Sequence, residues 1–290
     1  MKKPIELSVA IGCFDGLHIG HTQVIKSAVE KKSEDTASAV ITFDVNTQKL
    51  MSDDDKREAI YSLGVDEIIA FKLSEIKQLS PEQFVRDILK ARLNVKHISV
   101  GFNFRFGRNA VGDVNLLKSL CRRLGISVTV IPPVKLSGKT VSSTAIREML
   151  TVGNVSGAEK MLGRPFKFTE KVVHGAGRGE KELGIPTINQ KVGEKIFSPK
   201  FGVYRSRVIV NGETLNSVTN VGIKPTVMGK DINYETHIFD SHPDLYGETV
   251  TVELLEFIRN EKKFETLSEL KTQMEADIAT VKRKNSLHLK

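Results

Sequence analysis

The apolar residues in the first half of the chain fall into short continuous runs separated by stretches with helical spacing. The run Leu7–Ile11 has the composition of a buried strand, and the apolar positions within 24–29 behind it have the spacing of a helix. Further strands are predicted at 39–43, 67–71, 97–101 and 127–131, and further helices at 53–63, 81–93, 114–124 and 145–150. This alternation with short connections predicts a parallel, doubly wound α/β sheet.

The pattern changes after about residue 162, where helical periodicity fades and Gly, Pro and Asn punctuate short alternating runs. The run Gly202–Val210 leads into Asn211-Gly212, a strong signal for a hairpin turn, and Thr249–Phe257 reads as another strand. These runs predict a small antiparallel barrel, followed by a charged helix over 267–282. We therefore expect two domains, residues 1–163 and residues 164–290.

Composition narrows the class of protein. The chain has 290 residues, 40% of them hydrophobic and 27% charged, as in soluble globular proteins. No apolar run approaches the ~20 residues of a membrane helix, so no membrane association is expected. Cys13 and Cys121 are the only cysteines in the sequence, which predicts a reducing, cytoplasmic setting without disulfides.

The formal net charge of +8 has two interpretations, nucleic-acid binding or a solvated basic surface that attracts anionic nucleotides. The basic residues are dispersed, the one dense cluster is Lys282-Arg283-Lys284, and tryptophan is absent. The second interpretation is therefore favoured, and nucleic acid is not an expected partner.

The first predicted strand leads into a glycine-bearing loop with two histidines, Phe14-Asp15-Gly16-Leu17-His18-Ile19-Gly20-His21. Open α/β sheets bind ligands at such strand–helix junctions, where glycines and a helix N-terminus favour phosphate. A single histidine is more often structural. Two of them in the spacing His-x-Gly-His favour a role in binding phosphate and stabilising charge in a transition state.

Two further elements of the first module each have a structural and a functional interpretation. Ser142-Ser143-Thr144, with Arg147 in the following turn, is either an ordinary helix cap or a triphosphate site. The stretch 101–107 contains three phenylalanines around Asn103, which either fill the core or stack on a flat ring. The residues alone leave both alternatives open.

In the second module a glycine-rich stretch, 175–184, leads into Pro186-Thr187-Ile188-Asn189. The stretch is either a flexible hairpin or a nucleotide loop. In a strand Thr187 and Asn189 would lie on one face, and a hydroxyl with an amide carbonyl suits Mg²⁺ shared with phosphates. Farther on, Glu235 is either an exposed strand residue or a base for an attacking hydroxyl.

In this order, the features resemble the bacterial riboflavin kinase/FMN adenylyltransferase family, also called FAD synthetase, over nearly the whole chain. Further matching stretches are 79–85, 162–165, 202–204, 220–226, 244–247 and 259–264. The resemblance implies a Rossmann-like nucleotidylyltransferase domain followed by a small antiparallel β-barrel riboflavin kinase domain with a C-terminal helix. It implies that the barrel makes FMN from riboflavin and ATP, and that the first domain makes FAD from FMN and a second ATP.

The resemblance also implies roles for the motif residues. His18 and His21, in the motif that begins Phe14, Asp15, Gly16, would bind ATP phosphates and stabilise the adenylyl transition state. Ser143, Thr144 and Arg147 would hold the triphosphate, and Asn103 would contact the nucleotide or the flavin. In the kinase, Thr187 and Asn189 would bind Mg²⁺, and Glu235 would be the base. The loop around ATP would be shaped by Gly177, Arg178, Gly179 and Gly184.

The sequence departs from the family pattern in places. Val45-Asn46-Thr47 stand where the family usually has Pro-His-Pro, and Thr140 stands where many members carry arginine. Both departures fall in the first module, so a monofunctional riboflavin kinase is a second hypothesis. A third is a non-catalytic regulator that binds flavin or RNA, which only the positive charge and the cluster Lys282-Arg283-Lys284 support.

Overall fold

The computed structural model describes residues 5–44, 48–175, 182–193, 195–226, 229–240 and 244–288. The chain forms two compact units, one of residues 1–47 and 53–143 and the other of residues 48–52 and 144–290. Among the described residues no helix is both long and apolar enough to cross a membrane.

The first unit is built on a five-stranded sheet in which every neighbouring pair is parallel. Its strands are β1 (Glu6–Ile11), β2 (Thr36–Asp44), β3 (Glu67–Lys72), β4 (Val95–Gly101) and β5 (Ser127–Ile131). The order β3-β2-β1-β4-β5 confirms the predicted doubly wound sheet. The direction of winding reverses between β1 and β4, and ligands bind at the carboxyl ends of such a pair.

Helices connect these strands and cover the sheet. They are α1 (Ile19–Val29), α2 (Asp53–Tyr61), α3 (Leu73–Ile76), α4 (Pro81–Gln83) with a π-helix over Phe84–Arg92, and α5 (Val114–Arg123). The helix predicted over 81–93 is present, but most of it is π-helical. Its start follows the sequence signal, because Ser80 and Gln83 form a reciprocal capping box with Pro81 at the first position. A short hairpin, β6 (Lys135–Leu136) and β7 (Lys139–Thr140), follows β5.

The core of the first unit explains why the strands read as continuous apolar runs. Val9, Ile41 and Ile98 on adjacent strands are fully buried, and they belong to a cluster that includes Leu89 and Leu117 from the covering helices. A parallel sheet covered on both faces needs apolar residues on both sides of each strand. The same burial leaves the loops at the strand ends as the place for polar chemistry.

The second unit begins with α6 (Ser143–Thr151) and α7 (Val155–Leu162) and continues into a closed antiparallel barrel. The barrel strands are β8 (Phe166–Val173), β9 (Ile188–Lys191), β10 (Gly202–Val210), β11 (Glu213–Thr226), β12 (Gly229–Ile238) and β13 (Thr249–Asn260). Their order around the barrel is β10-β11-β12-β9-β8-β13, which confirms the predicted architecture. The turn between β10 and β11 has φ of 51° at Asn211 and 80° at Gly212, as a primed hairpin turn requires.

The barrel interior is partly polar. Ser206 lies within 2.8 Å of Ser217 and 2.7 Å of Thr219, measured between hydroxyl oxygens, and Thr219 lies 2.9 Å from Thr236. All four side chains are fully buried. The chain of hydroxyls therefore satisfies its own hydrogen bonds without solvent.

A final helix, α8 (Leu267–His288), packs on the outside of the barrel. Its Val281 is fully buried against Val203, Val218 and Phe239. The helix runs six residues past the predicted end at 282, and Lys284 beyond that point pairs with Glu256 of β13 at 2.5 Å. In the same basic cluster Lys282 pairs with Asp240 at 2.7 Å, so two of the three cations considered for RNA binding engage carboxylates of the barrel.

Candidate active sites

The histidine loop follows β1 and caps α1. Phe14 and Leu17 have left-handed φ values of 51° and 40°, and the Phe14 ring is buried. His18 Nδ1 accepts a hydrogen bond from the backbone N–H of His21 at 3.2 Å, so a neutral His18 carries its proton on Nε2. The His18 and His21 rings stack with centroids 3.5 Å apart and planes 14° apart. The structure therefore brings the two predicted histidines together as one unit.

The surroundings of His21 keep its imidazole neutral. The pKa of His21 lies well below its ordinary value, chiefly because the imidazole is buried. The neighbouring His18 and the cation of Lys56 lower it further, in decreasing order of effect. Its Nδ1 is shielded from solvent and has no hydrogen-bond acceptor or donor among the residues that the structure describes. A neutral imidazole at neutral pH can present an N–H to phosphate without carrying a full charge.

Lys56, on α2, reaches the end of the adjacent strands β1 and β2. Its Nζ donates to the Cys13 carbonyl at 2.5 Å and to Thr42 Oγ1 at 2.8 Å. Thr42 Oγ1 also donates to the Cys13 carbonyl at 3.2 Å. No sequence motif singles out Lys56, because a lysine on a highly charged helix has the pattern of a solvated face.

The serine motif at 142–144 meets the histidine loop through Ser143, whose hydroxyl donates to the Asp15 carbonyl at 2.9 Å. Thr144 and Arg147 lie on the same helix, α6, within the second compact unit. The Arg147 guanidinium donates to the Gln48 carbonyl at 2.7 Å and lies over the Phe197 ring. The motif therefore lies at the start of a helix, and the Ser143 hydroxyl joins it to the predicted nucleotide loop.

A cavity of about 580 Å³ opens at the carboxyl edge of the sheet. Its aromatic lining residues are Phe43, Phe84, Phe104 and Phe106, its basic ones are Lys77, Arg105 and Arg108, and Cys13 lies at its wall. The Phe104 and Phe106 rings stack with centroids 5.7 Å apart. Asn103 lies in the turn before them and is exposed. Aromatic walls beside guanidinium groups suit a flat ring that carries a phosphate.

The barrel places Asn189 directly opposite Glu235 in the β9–β12 ladder. Asn233 joins them, because its Nδ2 donates to Asn189 Oδ1 and to Glu235 Oε1, both at 3.2 Å. Thr187 precedes β9, and the Pro186 carbonyl beside it lies 2.8 Å from His237 Nδ1. Thr187, Asn189 and Glu235 thus come together from distant parts of the sequence.

Glu235, Thr187 and His237 line a cavity of about 170 Å³ beside α8. Asn220 completes its polar side, and Leu270, Met274 and Ile278 of the helix form an apolar wall. The carboxylate therefore faces a pocket that is polar on the barrel side and mostly apolar on the helix side, where Asp277 is the one acidic lining residue among those described. Such a pocket suits a ligand with one hydroxylated and one aromatic part.

The donor set around Asn189 fits magnesium better than a softer metal. A hydroxyl from Thr187 and an amide oxygen from Asn189 are hard oxygen ligands of the kind that Mg²⁺ takes together with phosphates and water. The described residues contain no cluster of three His, Cys, Asp or Glu side chains that could hold a metal alone. A side chain at Gly175 would overlap the Asn189 amide, so the start of the glycine-rich stretch passes directly over this amide.

The predicted nucleotide loop can be followed only in part. Gly184 has a left-handed φ of 69° with open space around its Cα. Gly177, Arg178 and Gly179 lie outside the described residues, as do Val45, Asn46 and Thr47 of the first unit.

Residues at the end of β13 complete the wall of the cavity that Glu235 lines. Arg259 donates to both carboxylate oxygens of Asp277 on α8, at 2.8 and 2.6 Å. Glu261 lies against the backbone of Gly222, where any side chain would overlap its carboxylate. Burial raises the pKa of Glu261 and Arg259 lowers it to a smaller extent. Arg259 and Glu261 fall within the stretch 259–264, which matched the family pattern, but their contacts with other elements have no local sequence signal.

Comparisons with known proteins agree with this two-part description. Residues 162–285 match the family model for riboflavin kinase, and residues 1–145 match that for FAD synthetase. The bifunctional riboflavin kinase/FMN adenylyltransferase of Haemophilus influenzae is 34% identical, and the alignment covers 95% of this chain and 93% of the relative. The Bacillus subtilis protein of the same name is 33% identical, with 93% of this chain and 89% of the relative covered.

Among solved structures, a Streptococcus pneumoniae chain described as a macrolide-efflux protein superposes with a TM-score of 0.85. It is 30% identical, and the superposition covers 97% of this chain and 95% of the streptococcal one. Its description concerns the streptococcal protein, and the likeness shows that the two chains share a fold. Identity over nearly the full length of the curated relatives, with both family models matched in order, shows that the chain belongs to the bifunctional riboflavin kinase/FMN adenylyltransferase family.

Proposed function

We propose that this protein makes FAD from riboflavin in two steps, each of which consumes one ATP. The barrel phosphorylates riboflavin to FMN, and the parallel-sheet domain transfers an adenylyl group to FMN. Membership of the family supports both activities. The observation that carries the proposal is the placement of Glu235, hydrogen-bonded through Asn233 to Asn189, at the wall of a cavity.

In the kinase step, the Glu235 carboxylate accepts the proton of the terminal ribityl hydroxyl of riboflavin. The hydroxyl oxygen attacks the terminal phosphorus of ATP, and ADP leaves. Asn233 holds the carboxylate in place, since its amide donates to Glu235 and to Asn189 at the same time. Thr187 and Asn189 would hold Mg²⁺, which neutralises phosphate charge when bound.

The remaining kinase assignments rest on the family motif. We assign Gly177, Arg178, Gly179 and Gly184 to the loop that shapes the ATP site. The apolar wall of α8 in the kinase cavity suits the isoalloxazine ring, and the barrel side suits the ribityl chain. On this assignment the hydroxylated end of the substrate points toward Glu235.

In the adenylyl transfer, a phosphate oxygen of FMN attacks the α-phosphorus of ATP, and pyrophosphate leaves. His18 and His21 donate hydrogen bonds to the phosphate oxygens on which charge accumulates. The neutral state of His21 supports this role, because its pKa is depressed. The Phe14-Asp15-Gly16 turn positions the histidines, and we assign Ser143, Thr144 and Arg147 to the triphosphate on the strength of their motif.

We place FMN in the cavity lined by Phe104 and Phe106, with Asn103 at its edge. The stacked rings offer an aromatic face to the isoalloxazine, and Arg105 and Arg108 offer charge to its phosphate. On this assignment residues 1–163 form the adenylyltransferase and residues 164–290 the kinase. A cytoplasmic setting is proposed because Cys13 and Cys121 are both free thiols.

The proposal is tested by two assays on the purified full chain with ATP and Mg²⁺. Riboflavin should yield FMN and ADP, and FMN should yield FAD and pyrophosphate. Formation of FMN without any FAD would favour the monofunctional kinase, which the replacement of Pro-His-Pro by Val45-Asn46-Thr47 suggests. Absence of both products would contradict the proposal as a whole.

Matched variants separate the two sites. Glu235→Gln should abolish FMN formation and leave FAD formation from FMN unchanged. His21→Ala should do the reverse. An unchanged kinase rate in Glu235→Gln would remove Glu235 from the role of base, and an equal loss of both activities in His21→Ala would contradict separate sites.

A further inference from the structure

We propose that Lys56 is a positioning residue for adenylyl transfer, which fixes the entry of the histidine loop and places a positive charge behind the stacked histidines. This inference deepens the proposed adenylyltransferase activity and rests on it. Lys56 belongs to none of the motifs that carried the functional prediction, and it comes from α2, outside both the histidine loop and the serine motif.

The first argument is the hydrogen-bond triangle at the end of β1 and β2. The Cys13 carbonyl accepts from Lys56 Nζ and from Thr42 Oγ1, and Thr42 Oγ1 accepts from Lys56 in turn. Thr42 is buried. Lys56 therefore ties two adjacent strands and a helix together at the carboxyl edge of the sheet, where an open α/β fold binds its ligand.

The second argument is the strain in the loop that starts at this point. Phe14, directly after Cys13, has a φ of 51°, and Leu17 has a φ of 40°. Left-handed conformations in residues other than glycine cost about 1 kcal/mol or more each and persist only where the surroundings hold them. Two hydrogen bonds to the Cys13 carbonyl hold the peptide that leads into the strained turn.

The third argument is electrostatic. The groups that set the charge of His21 are His18 from its own loop and Lys56 from α2, with Asp15 acting close by on Cys13. The Lys56 cation disfavours protonation of His21, and it adds positive potential where a polyphosphate would lie. Loss of this cation should make His21 protonate at a higher pH and should weaken the support of the transition state.

The test uses Lys56→Met, which keeps most of the aliphatic stem but removes the charge and the donors. We expect kcat for FAD formation to fall about ten- to a hundredfold with a smaller change in KM for ATP. The acid limb of the pH profile should move to higher pH. FMN formation by the same sample should stay at the wild-type rate, which shows that the effect is confined to adenylyl transfer, and the far-UV circular dichroism spectrum should match that of the wild type.

Two further variants serve as controls. Lys56→Arg, which keeps the charge and can donate two hydrogen bonds, should recover part of the lost kcat. Arg57→Met removes one positive charge from the next, exposed position of the same helix and should change neither kcat nor the pH profile. An effect of Arg57→Met equal to that of Lys56→Met would overturn the assignment, because net charge alone would then explain the loss.

Wild-type kcat and pH profile in Lys56→Met would also overturn the inference, as would equal loss of both activities. If the wild-type protein forms no FAD, the proposed function fails, and a separate measurement still decides the role of Lys56. The NMR signal of the His21 imidazole is assigned as the one that is missing from the spectrum of His21→Gln. This signal is then followed as a function of pH in the wild-type protein and in Lys56→Met. The pKa of His21 should rise in the variant, and an unchanged titration would refute the electrostatic role.

Discussion

Replacing Asp277 by alanine should loosen α8 from the barrel and open the wall of the cavity that Glu235 lines. Asp277 accepts two hydrogen bonds from Arg259 of β13, at 2.8 and 2.6 Å, and a third from Gln273 at 3.1 Å. Met274 and Leu270, one and two turns earlier on α8, line the same cavity. This carboxylate therefore contributes to the attachment of the helix wall, together with the apolar contacts of Val281.

The surroundings of the pair set the size of the effect. The Asp277 side chain is 7% exposed and that of Arg259 is 23% exposed. Breaking a fully buried pair costs about 3–5 kcal/mol, but the guanidinium can recover some solvent here, so we expect a loss of about 2 kcal/mol in the free energy of unfolding. The loosened wall should also raise KM for riboflavin several-fold while FAD formation from FMN is unchanged.

The measurement is urea unfolding followed by circular dichroism, with kinase assays on the same samples. Lys282→Ala is the matched control, since it breaks an ion pair on the same helix whose side chains are 47% and 81% exposed. Exposed pairs contribute at most about 1 kcal/mol, so this control should change stability little. A double-mutant cycle with Arg259→Met should show coupling of about 1 kcal/mol or more. Equal effects of Asp277→Ala and Lys282→Ala, or zero coupling, would refute the reasoning.

Three further outcomes are expected. A side chain at Gly202, whose φ is 149°, would overlap the Arg259 backbone carbonyl. Gly202→Ala should therefore lower the free energy of unfolding, measured by heat or urea, by about 2 kcal/mol or more, and wild-type stability would contradict this. A side chain at Gly222 would overlap the Glu261 carboxylate, which can move aside. Gly222→Ala should therefore reduce kinase activity with little change in melting temperature, and unaltered kinetics would argue against a role for that carboxylate. Burial lowers the pKa of His97, so the folded protein binds that proton less readily than the unfolded chain, and the free energy of unfolding should decline as pH falls below about 6.5. In His97→Gln this decline, measured as urea midpoints across pH, should be flatter. An unchanged slope would count against the role of His97.

The first unit could be predicted closely from sequence because its strands are buried on both faces. The run predicted at 127–131 coincides with β5, and the predicted run at 39–43 falls inside β2, Thr36–Asp44. The barrel strands were harder to predict, because their sequence signal is an alternation between apolar residues on the buried face and polar residues on the exposed face. Ser217 and Thr219 of β11 point into the barrel, so the buried face of that strand does not read as apolar.

The two candidate sites also differ in how far the sequence predicts them. The His-x-Gly-His spacing predicted the stacked pair His18 and His21, since both belong to one loop and one helix turn. The pairing of Asn189 with Glu235 depends on the register between β9 and β12, which are not consecutive in sequence, and no local pattern encodes it. Lys56 reaches the start of the histidine loop from α2, through the Cys13 carbonyl, so only the sheet order brings it near.

The buried hydroxyl chain has a consequence for how the barrel closes. In the observed pairing Ser206 stands opposite Ser217, and Val208 stands opposite Leu215. A slip of two residues that brought Ser206 opposite Leu215 would keep every side chain on its own face, so apolar patterning alone would tolerate it. It would bury hydroxyls without acceptors, at about 1–3 kcal/mol for each. The serines and threonines inside this barrel therefore fix the strand register, because hydrophobic patterning alone would allow several registers and the buried hydrogen bonds allow one.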